Sequence, residues 1–245
     1  MDMNEQFRKD VVDRTRALGK DADFASLSSK WVTASGQRKY TYNFSWLGRP
    51  IIQFPQDIIA MQELIWKVKP DLIIETGIAH GGSLMFSASM LELLGGDGCV
   101  VGVDIDIREH NRIEIEKHPM FKRITMIEGS SIDEGIAGEV KKLASNRKVV
   151  MVVLDSMHTH EHVLRELEVY SPLVTKGSYI VVCDTIIEDM PEGSFPDRPW
   201  EVGNNPKTAV WEFLKTTDRF EIDEDIPSRL LITVAPDGYL RCVED

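Results

Sequence analysis

From Lys69 onward the apolar and polar positions alternate in blocks. Short, nearly unbroken apolar runs fall at 71–75, 99–104, 122–127, 148–154 and 178–183. Runs of that length without a period of two read as strands buried on both faces. Between them, at 82–94, 108–117, 134–144 and 159–170, apolar residues recur at three- and four-residue spacing, the mark of helices. Strands alternating with helices predict a mostly parallel α/β sheet with helices on both faces. Upstream, Ile58, Ile59, Met61, Leu64, Ile65 and Val68 give a helix over 57–68. Val11, Val12 and Leu18, spread among charges, give a shorter one over 4–18. Residues 20–50 lack a clear period and crowd Trp31, Tyr40, Tyr42, Phe44 and Trp46 together. Such a group packs as core or forms a stacking wall for a ring substrate.

After the fifth strand the pattern breaks. Pro191, Pro196, Pro199 and Pro206, with Gly193 and Gly203, predict a long irregular loop. Asn205 before Pro206 reads as the cap and first turn of a helix over 206–216. Terminal strands are expected at 219–222, 229–234 and 239–243, with Pro236-Asp237-Gly238 turning between the last two. The acidic stretch from Glu221 to Asp225 reads as a solvated turn. We divide the chain into an N-terminal helical and aromatic extension, residues 1–50, and an α/β domain, residues 51–245. The extension is placed for substrate or oligomer contacts, and the loop at 185–205 is placed as a lid.

The totals narrow the function classes. At 245 residues, 42% of them apolar, the chain fits one α/β domain with additions. Its 28 basic and 40 acidic residues leave a net charge of −12, which argues against nucleic acid and anionic membrane as partners. Cys99, Cys183 and Cys242 stand far apart, a reduced pattern rather than a disulfide or zinc framework. The first residues do not read as a signal peptide, and no apolar run is long enough to cross a bilayer, so a cytoplasmic protein is expected.

The chemistry concentrates where strands end. The first strand runs into Glu75-x-Gly77-x-x-x-Gly81-Gly82-Ser83, and the second ends at Asp104. The glycine spacing departs from the dinucleotide fingerprint. An acidic residue just before the turn suits a ligand with a cationic amino-acid end better than a pyrophosphate. S-adenosylmethionine carries a sulfonium and an ammonium and lacks phosphate. Gly77 would let backbone approach it, and Gly81, Gly82 and Ser83 would open the helix. Asp104 would accept from its ribose hydroxyls. The Ser130-Ser131 turn would meet its adenine, or Ser131 or Asp133 would simply cap a helix.

The fourth strand ends at Asp155 and the fifth at Asp184-Thr185. Neighbouring carboxyl ends in an open sheet face one crevice. Two carboxylates there raise each other's pKa or hold a cation, and hard oxygen donors favour Mg²⁺. A cation would acidify an alcohol beside it. His158, three residues past Asp155, could serve as general base. His160 and His162 read as solvated first-turn residues, with His162 a packing or substrate contact. No H-E-x-x-H zinc motif is present.

Tyr42-Asn43-Phe44-Ser45-Trp46-Leu47-Gly48, Ile74 to Ser83, Asp155-Ser156-x-His158-Thr159-His160-Glu161-His162-Val163 and Asp184-Thr185-Ile186-Ile187-Glu188-Asp189 together resemble the cephalosporin hydroxylase family. The resemblance runs from about residue 30 to the C-terminus. It implies the Rossmann-like, seven-stranded class I methyltransferase fold. It also implies an S-adenosylmethionine- and Mg²⁺-dependent O-methyltransferase, with sugar methyltransferases among its relatives. A hydroxyl of a sugar or other small molecule would be the acceptor, in surface-polysaccharide or secondary-metabolite chemistry, and the protein would form a homo-oligomer. The cofactor-binding positions implied are Glu75, Gly77, Ala79, Gly81, Ser83, Asp104, Ser130, Ser131 and Asp155. The metal ligands implied are Asp155 and Asp184. Cys183 stands where the family often carries a further acidic ligand, leaving Thr185, water or a substrate oxygen to fill the gap. His158 matches the position of a catalytic base. Two readings of other classes are a metal-dependent hydroxylase, as the family name suggests, and a non-catalytic small-molecule binder with this fold.

Overall fold

The structure, a computed structural model, describes residues 2–245. The chain opens with α1 (Met3–Leu18), α2 (Ala22–Gly36) and a hairpin of β1 (Phe44–Trp46) and β2 (Arg49–Ile51). Then follow α3 (Pro55–Val68), β3 (Leu72–Thr76), α4 (Gly82–Leu94), β4 (Cys99–Asp104), α5 (Glu109–Glu116), β5 (Ile124–Glu128), α6 (Glu134–Ala144), β6 (Val150–Leu154), α7 (His160–Tyr170) and β7 (Tyr179–Val182). The C-terminal part holds α8 (Pro206–Phe213), β8 (Phe220–Ile222), α9 (Asp225–Leu230) and β9 (Tyr239–Cys242).

Seven strands form one sheet in the order β5-β4-β3-β6-β7-β9-β8. The first five are parallel, and β9 and β8 close the edge antiparallel. Every residue of β3, β6 and β7 is buried, as their unbroken apolar runs require. One face of the sheet packs on α3 and α4 through Ile65, Leu84, Met85 and Leu91. The other packs on α6, α7 and α8 through Val140, Leu167, Tyr170 and Val210. The chain crosses from β3 to β4 on one side and returns to β6 on the other. The carboxyl ends of β3, β4 and β6 therefore splay around a crevice, the place where such sheets bind ligands.

One expected strand fails. Residues 229–234 form no strand: α9 ends at Leu230 and the following residues are irregular. Their β-branched side chains are apolar enough for a strand, but Asp57 binds Thr233 and the Val234 amide from the side, so neither joins a ladder. The stretch at 20–50, which shows no clear period in sequence, contains a four-turn helix, α2, capped by Asp21 through the Phe24 amide. The aromatic group divides. Trp31, Tyr40, Phe44 and Phe54 stack on one another, and Trp46 stacks on Phe86, whereas Tyr42 is exposed at the crevice.

Candidate functional site

The turn after β3 requires glycine for a geometric reason. Gly77 has φ +90°, and a Cβ there would lie 1.9 Å from the Asp155 carbonyl oxygen. The turn thus lies flat against the end of β6. Ala79 also takes a left-handed φ of 47°. The turn is held open by Asp104, whose Oδ2 accepts from the amides of Ile78 at 2.7 Å and Ala79 at 3.1 Å. From outside, Arg49 on β2 donates to the His80 carbonyl from Nη2 at 2.7 Å and from Nε at 3.0 Å, and to Asn111 Oδ1 at 3.0 Å. Asn111 donates to the Ala79 carbonyl at 2.9 Å. At Gly82 a Cβ would lie 2.1 Å from the Pro50 carbonyl oxygen, so the hairpin sits directly on the start of α4.

Beneath the turn Glu75 is 2% exposed and accepts from the Ser83 hydroxyl. Burial pushes its carboxyl up to about 7, against the opposing effect of that hydrogen bond. Ser83 itself lines the cavity above.

Asp155, His158 and Asp184 converge at the centre of the crevice. One donor atom from each lies within 4.8 Å of the others. His158 Nε2 is 3.0 Å from Asp184 Oδ2, and its ring meets Trp200 edge-on at 4.7 Å. Desolvation and then the Asp184 charge raise the Asp155 carboxyl well above the usual carboxylate range. At His158 burial favours the neutral ring, but the hydrogen-bonded Asp184 and the nearby Asp155 outweigh it and raise its pKa. Two carboxylates balanced by one imidazole form a set that a divalent cation would complete.

Asp184 reaches this point through a left-handed backbone, φ +57°. The turn behind it is clamped by the Ile186 amide donating to the Val234 carbonyl at 3.1 Å. That segment is tied in turn to Asp57, 3% exposed, which accepts from Thr233, from the Val234 amide at 2.9 Å and from Tyr239 at 2.9 Å. Its carboxyl is raised to about 6 by burial against the lowering effect of these donors.

Two cavities meet at the trio. One, of about 640 Å³, runs past Asp104, Ile105, Arg108, Arg198 and Trp200. The other, of about 750 Å³, runs from Gly77, Ser83 and Asp155 out between α2 and the loop after β7. That loop is pinned at both stems. Glu188 accepts from Asn205 and from the Gly203 amide, and the buried Lys207 pairs with Asp189 at 2.8 Å.

Of the residues expected at the site, Gly77, Ala79, Ser83, Asp104, Asp155, His158 and Asp184 all line these cavities. Glu75 lies just below, behind Ser83. Gly81 does not face the cavities; its missing side chain makes room for Ile115. Ser130 and Ser131 line neither cavity. Ser131 is buried and its hydroxyl meets His162 at 3.1 Å, within a network that includes Ser156 and Glu166. Asp133, not Ser131, caps α6. Thr185 is not a metal ligand: the left-handed turn at Asp184 sends it inward, fully buried, to donate to the Pro236 carbonyl. Cys183 is buried in the apolar core on the α3–α4 side and is absent from the trio. His160 binds Thr208 and Glu212 at the loop stem. Sequence reasoning missed Arg49, Asp57, Asn111 and Ile105. The last is a hydrophobic residue, 74% exposed, directly after the strand-ending Asp104, a recognisable oddity.

Known proteins bear on this geometry. The ligand-free structure of CmcI superposes with a TM-score of 0.57 at 19% identity, over 83% of this chain and 78% of that one. A CmcI structure described with Mg and S-adenosylmethionine gives 0.54 at 18%, with the same coverage. An O-methyltransferase from Bacillus cereus in complex with S-adenosylhomocysteine gives 0.50 at 15%, over 89% and 90% of the two chains. These likenesses establish the Rossmann-like class I methyltransferase fold. In sequence, the rhamnosyl O-methyltransferase of Mycobacterium tuberculosis is 31% identical over 189 residues, 75% of this chain and 72% of that protein. The Mycobacterium leprae protein of the same name is 29% identical over 148 residues, 60% of this chain and 62% of that protein. Residues 38–243 match the family described as rhamnosyl O-methyltransferase/CmcI, and the chain belongs to that family.

Proposed function

We propose that this protein is an S-adenosylmethionine-dependent, metal-assisted O-methyltransferase acting on a sugar hydroxyl, with a rhamnosyl group as the first acceptor to test. The carrying observation is the convergence of Asp155, His158 and Asp184 where the two cavities meet. Family membership and the rhamnosyl O-methyltransferase relatives support it.

The residues present suit both groups. The donor set is two carboxylates and an imidazole open to a cavity, which fits a hard divalent ion such as Mg²⁺ held by Asp155 and Asp184. Such an ion supplies positive charge that acidifies a nearby alcohol, and S-adenosylmethionine supplies an electrophilic methyl. Glu75 with Ser83 gives a cationic amino end a buried counter-charge. Asp104 keeps the turn open beside the ribose position, and Ile105 offers an apolar face to a nucleobase. His158 donates from Nε2 to the Asp184 carboxylate, which stabilises the imidazolium, and takes the hydroxyl proton on its other ring nitrogen, Nδ1. The rest of catalysis is orientation within a crevice closed by Trp200 and the loop at 185–205. An iron hydroxylase would need a second histidine at the trio, but His162 is engaged with Ser131 and Ser156.

The finer assignments follow the same reading. Residues 1–50 form the acceptor-side and oligomer-contact extension, with Phe7, Phe24 and Leu27 exposed for a second copy. Three free thiols suit the cytoplasm, and among the described residues no helix is long and apolar enough to cross a membrane.

Calorimetry with S-adenosylhomocysteine, with and without Mg²⁺, tests the proposal. The wild type should bind in both conditions, more tightly with the ion. Asp155→Asn and Asp184→Asn should bind without any response to Mg²⁺. Absence of nucleoside binding by the folded wild type would overturn the proposal.

A further inference from the structure

We propose that Glu166, buried on α7, is a positioning residue for the trio. Through the Ser156 hydroxyl it holds the turn that carries Asp155 and His158, and so it sets how firmly the trio grips a divalent cation. The inference rests on the metal-assisted reading of the site and names a residue that serves it without touching the ion.

The face of α7 that meets the sheet should be apolar, and Val163 and Leu167 obey that rule. Glu166 lies among them with 0% exposure. Its Oε1 accepts from the Ser156 hydroxyl at 2.7 Å, and its Oε2 is enclosed without a hydrogen-bond partner. Among the described residues the one basic group within ion-pair reach is His162 Nε2, at 3.6 Å. Burying a carboxylate so incompletely satisfied costs folding free energy. A leucine would pack there without that cost. The gain lies in what the acid holds.

Ser156 directly follows Asp155. The Asp155 amide donates to the Thr76 carbonyl at 2.9 Å, so the backbone is fixed on its sheet side. Past that point the turn lacks the usual fastening, because Thr159 makes no capping bond through its side chain at the start of α7. The Ser156–Glu166 bond instead ties the turn back onto the helix it leads into, and Asn204 holds the His160 amide from the loop side at 3.0 Å. His162, Glu166 and Tyr170 stand four apart on one helix face, and they fasten a second turn as well. His162 Nε2 is 3.1 Å from the Ser131 hydroxyl and 3.2 Å from that of Ser156, and the Tyr170 hydroxyl donates to the Ser131 carbonyl at 2.7 Å. One helix face thereby keeps the turns after β5 and β6 in fixed relation. Asp184 arrives from a separate strand end, so the trio closes only when Asp155 and His158 are aimed at it. Outer hydrogen-bond partners of metal-binding groups typically set about 10- to 100-fold in metal affinity.

The test uses the full-length protein with Mn²⁺ as the probe ion, its binding read by electron paramagnetic resonance. Glu166→Leu removes the acceptor for Ser156 and should weaken Mn²⁺ binding about tenfold or more, with a Tm no lower than that of the wild type. Glu166→Gln keeps an acceptor oxygen without the charge and should restore wild-type affinity. Ser156→Ala keeps the charge without the hydrogen bond and should reproduce the loss. The double variant Ser156→Ala/Glu166→Leu should be no worse than Glu166→Leu alone, because both changes break one link. Leu167→Ala, a neighbouring cavity in the core, should lower Tm and leave Mn²⁺ affinity unchanged. Behaviour of Glu166→Leu like that of Leu167→Ala would overturn the inference. So would equal losses in the Gln and Leu variants, or full affinity in Ser156→Ala, since either result traces the effect to charge. If Glu166→Leu does not fold, Ser156→Ala decides alone. A wild type that binds S-adenosylhomocysteine but no Mn²⁺ also overturns the inference. A wild type that binds Mn²⁺ but no nucleoside sinks the methyltransferase reading instead, and the ion affinities still decide the role of Glu166.

Discussion

Glu75 is a buried acid held without a cation in the free protein, and this makes its cost measurable. Its pKa is raised from 4.5 to about 7, mainly by desolvation. Between those values the folded state keeps a proton that the unfolded state has lost. Folding is therefore opposed more strongly as pH rises through that window, and the full penalty is about 3 kcal/mol above it. From about pH 5 to about pH 8 the wild type should lose roughly 2.5 kcal/mol of stability through this group. Glu75→Gln keeps the shape and the acceptor for Ser83 but cannot ionise, so its pH profile should lack that fall. Urea unfolding of the ligand-free wild type and variant across this range measures the difference. Parallel curves for the two proteins would refute the assignment of a proton to buried Glu75. The functional side carries the opposite sign. A cationic amino group bound beside Ser83 favours the carboxylate, so the variant should lose affinity for S-adenosylhomocysteine most at high pH.

Other perturbations follow from the same structure. Gly77→Ala places a side chain at φ +90° against the Asp155 carbonyl. The backbone alone should cost about 1–2 kcal/mol, and the clash should abolish nucleoside binding in calorimetry. Asp57→Ala orphans three donors around a fully enclosed carboxylate and should lower stability by about 3 kcal/mol or more, read as a clear drop in Tm. Arg49→Met frees the Ala79–Gly81 turn from its outside grip. It should weaken S-adenosylhomocysteine binding about tenfold while changing urea stability far less, because the hydrogen bonds it removes are partly exposed. An unchanged Kd would show that the turn holds its shape unaided.

The parallel sheet was legible because β3, β6 and β7 are unbroken apolar runs, and only a strand buried on both faces reads that way. The trio was legible for the related reason that Asp155 and Asp184 end neighbouring strands. Thr185 was misread because adjacency in sequence says nothing about a left-handed turn that reverses the next side chain. Helix α2 escaped notice because Phe24 and Leu27 point outward and the rest is rich in serine and alanine, so no apolar stripe marks it. The strand expected at 229–234 failed because a carboxylate 177 residues away captures the Val234 amide. Arg49 and Asp57 act through contacts that exist only once the chain is folded, and neither sits in a motif.

The hairpin at Phe44–Ile51 lies outside the sheet, yet its Arg49 and Pro50 shape the residues that would face the methyl donor. A fragment trimmed to begin after Ile51 would retain every strand of the sheet and every member of the trio. It would lose the Arg49 bonds to the His80 carbonyl and Asn111, and with Trp46 and Ile51 the packing on α4. The hairpin thus joins the core and the entrance turn, so one short segment carries both packing and the shape of the crevice mouth.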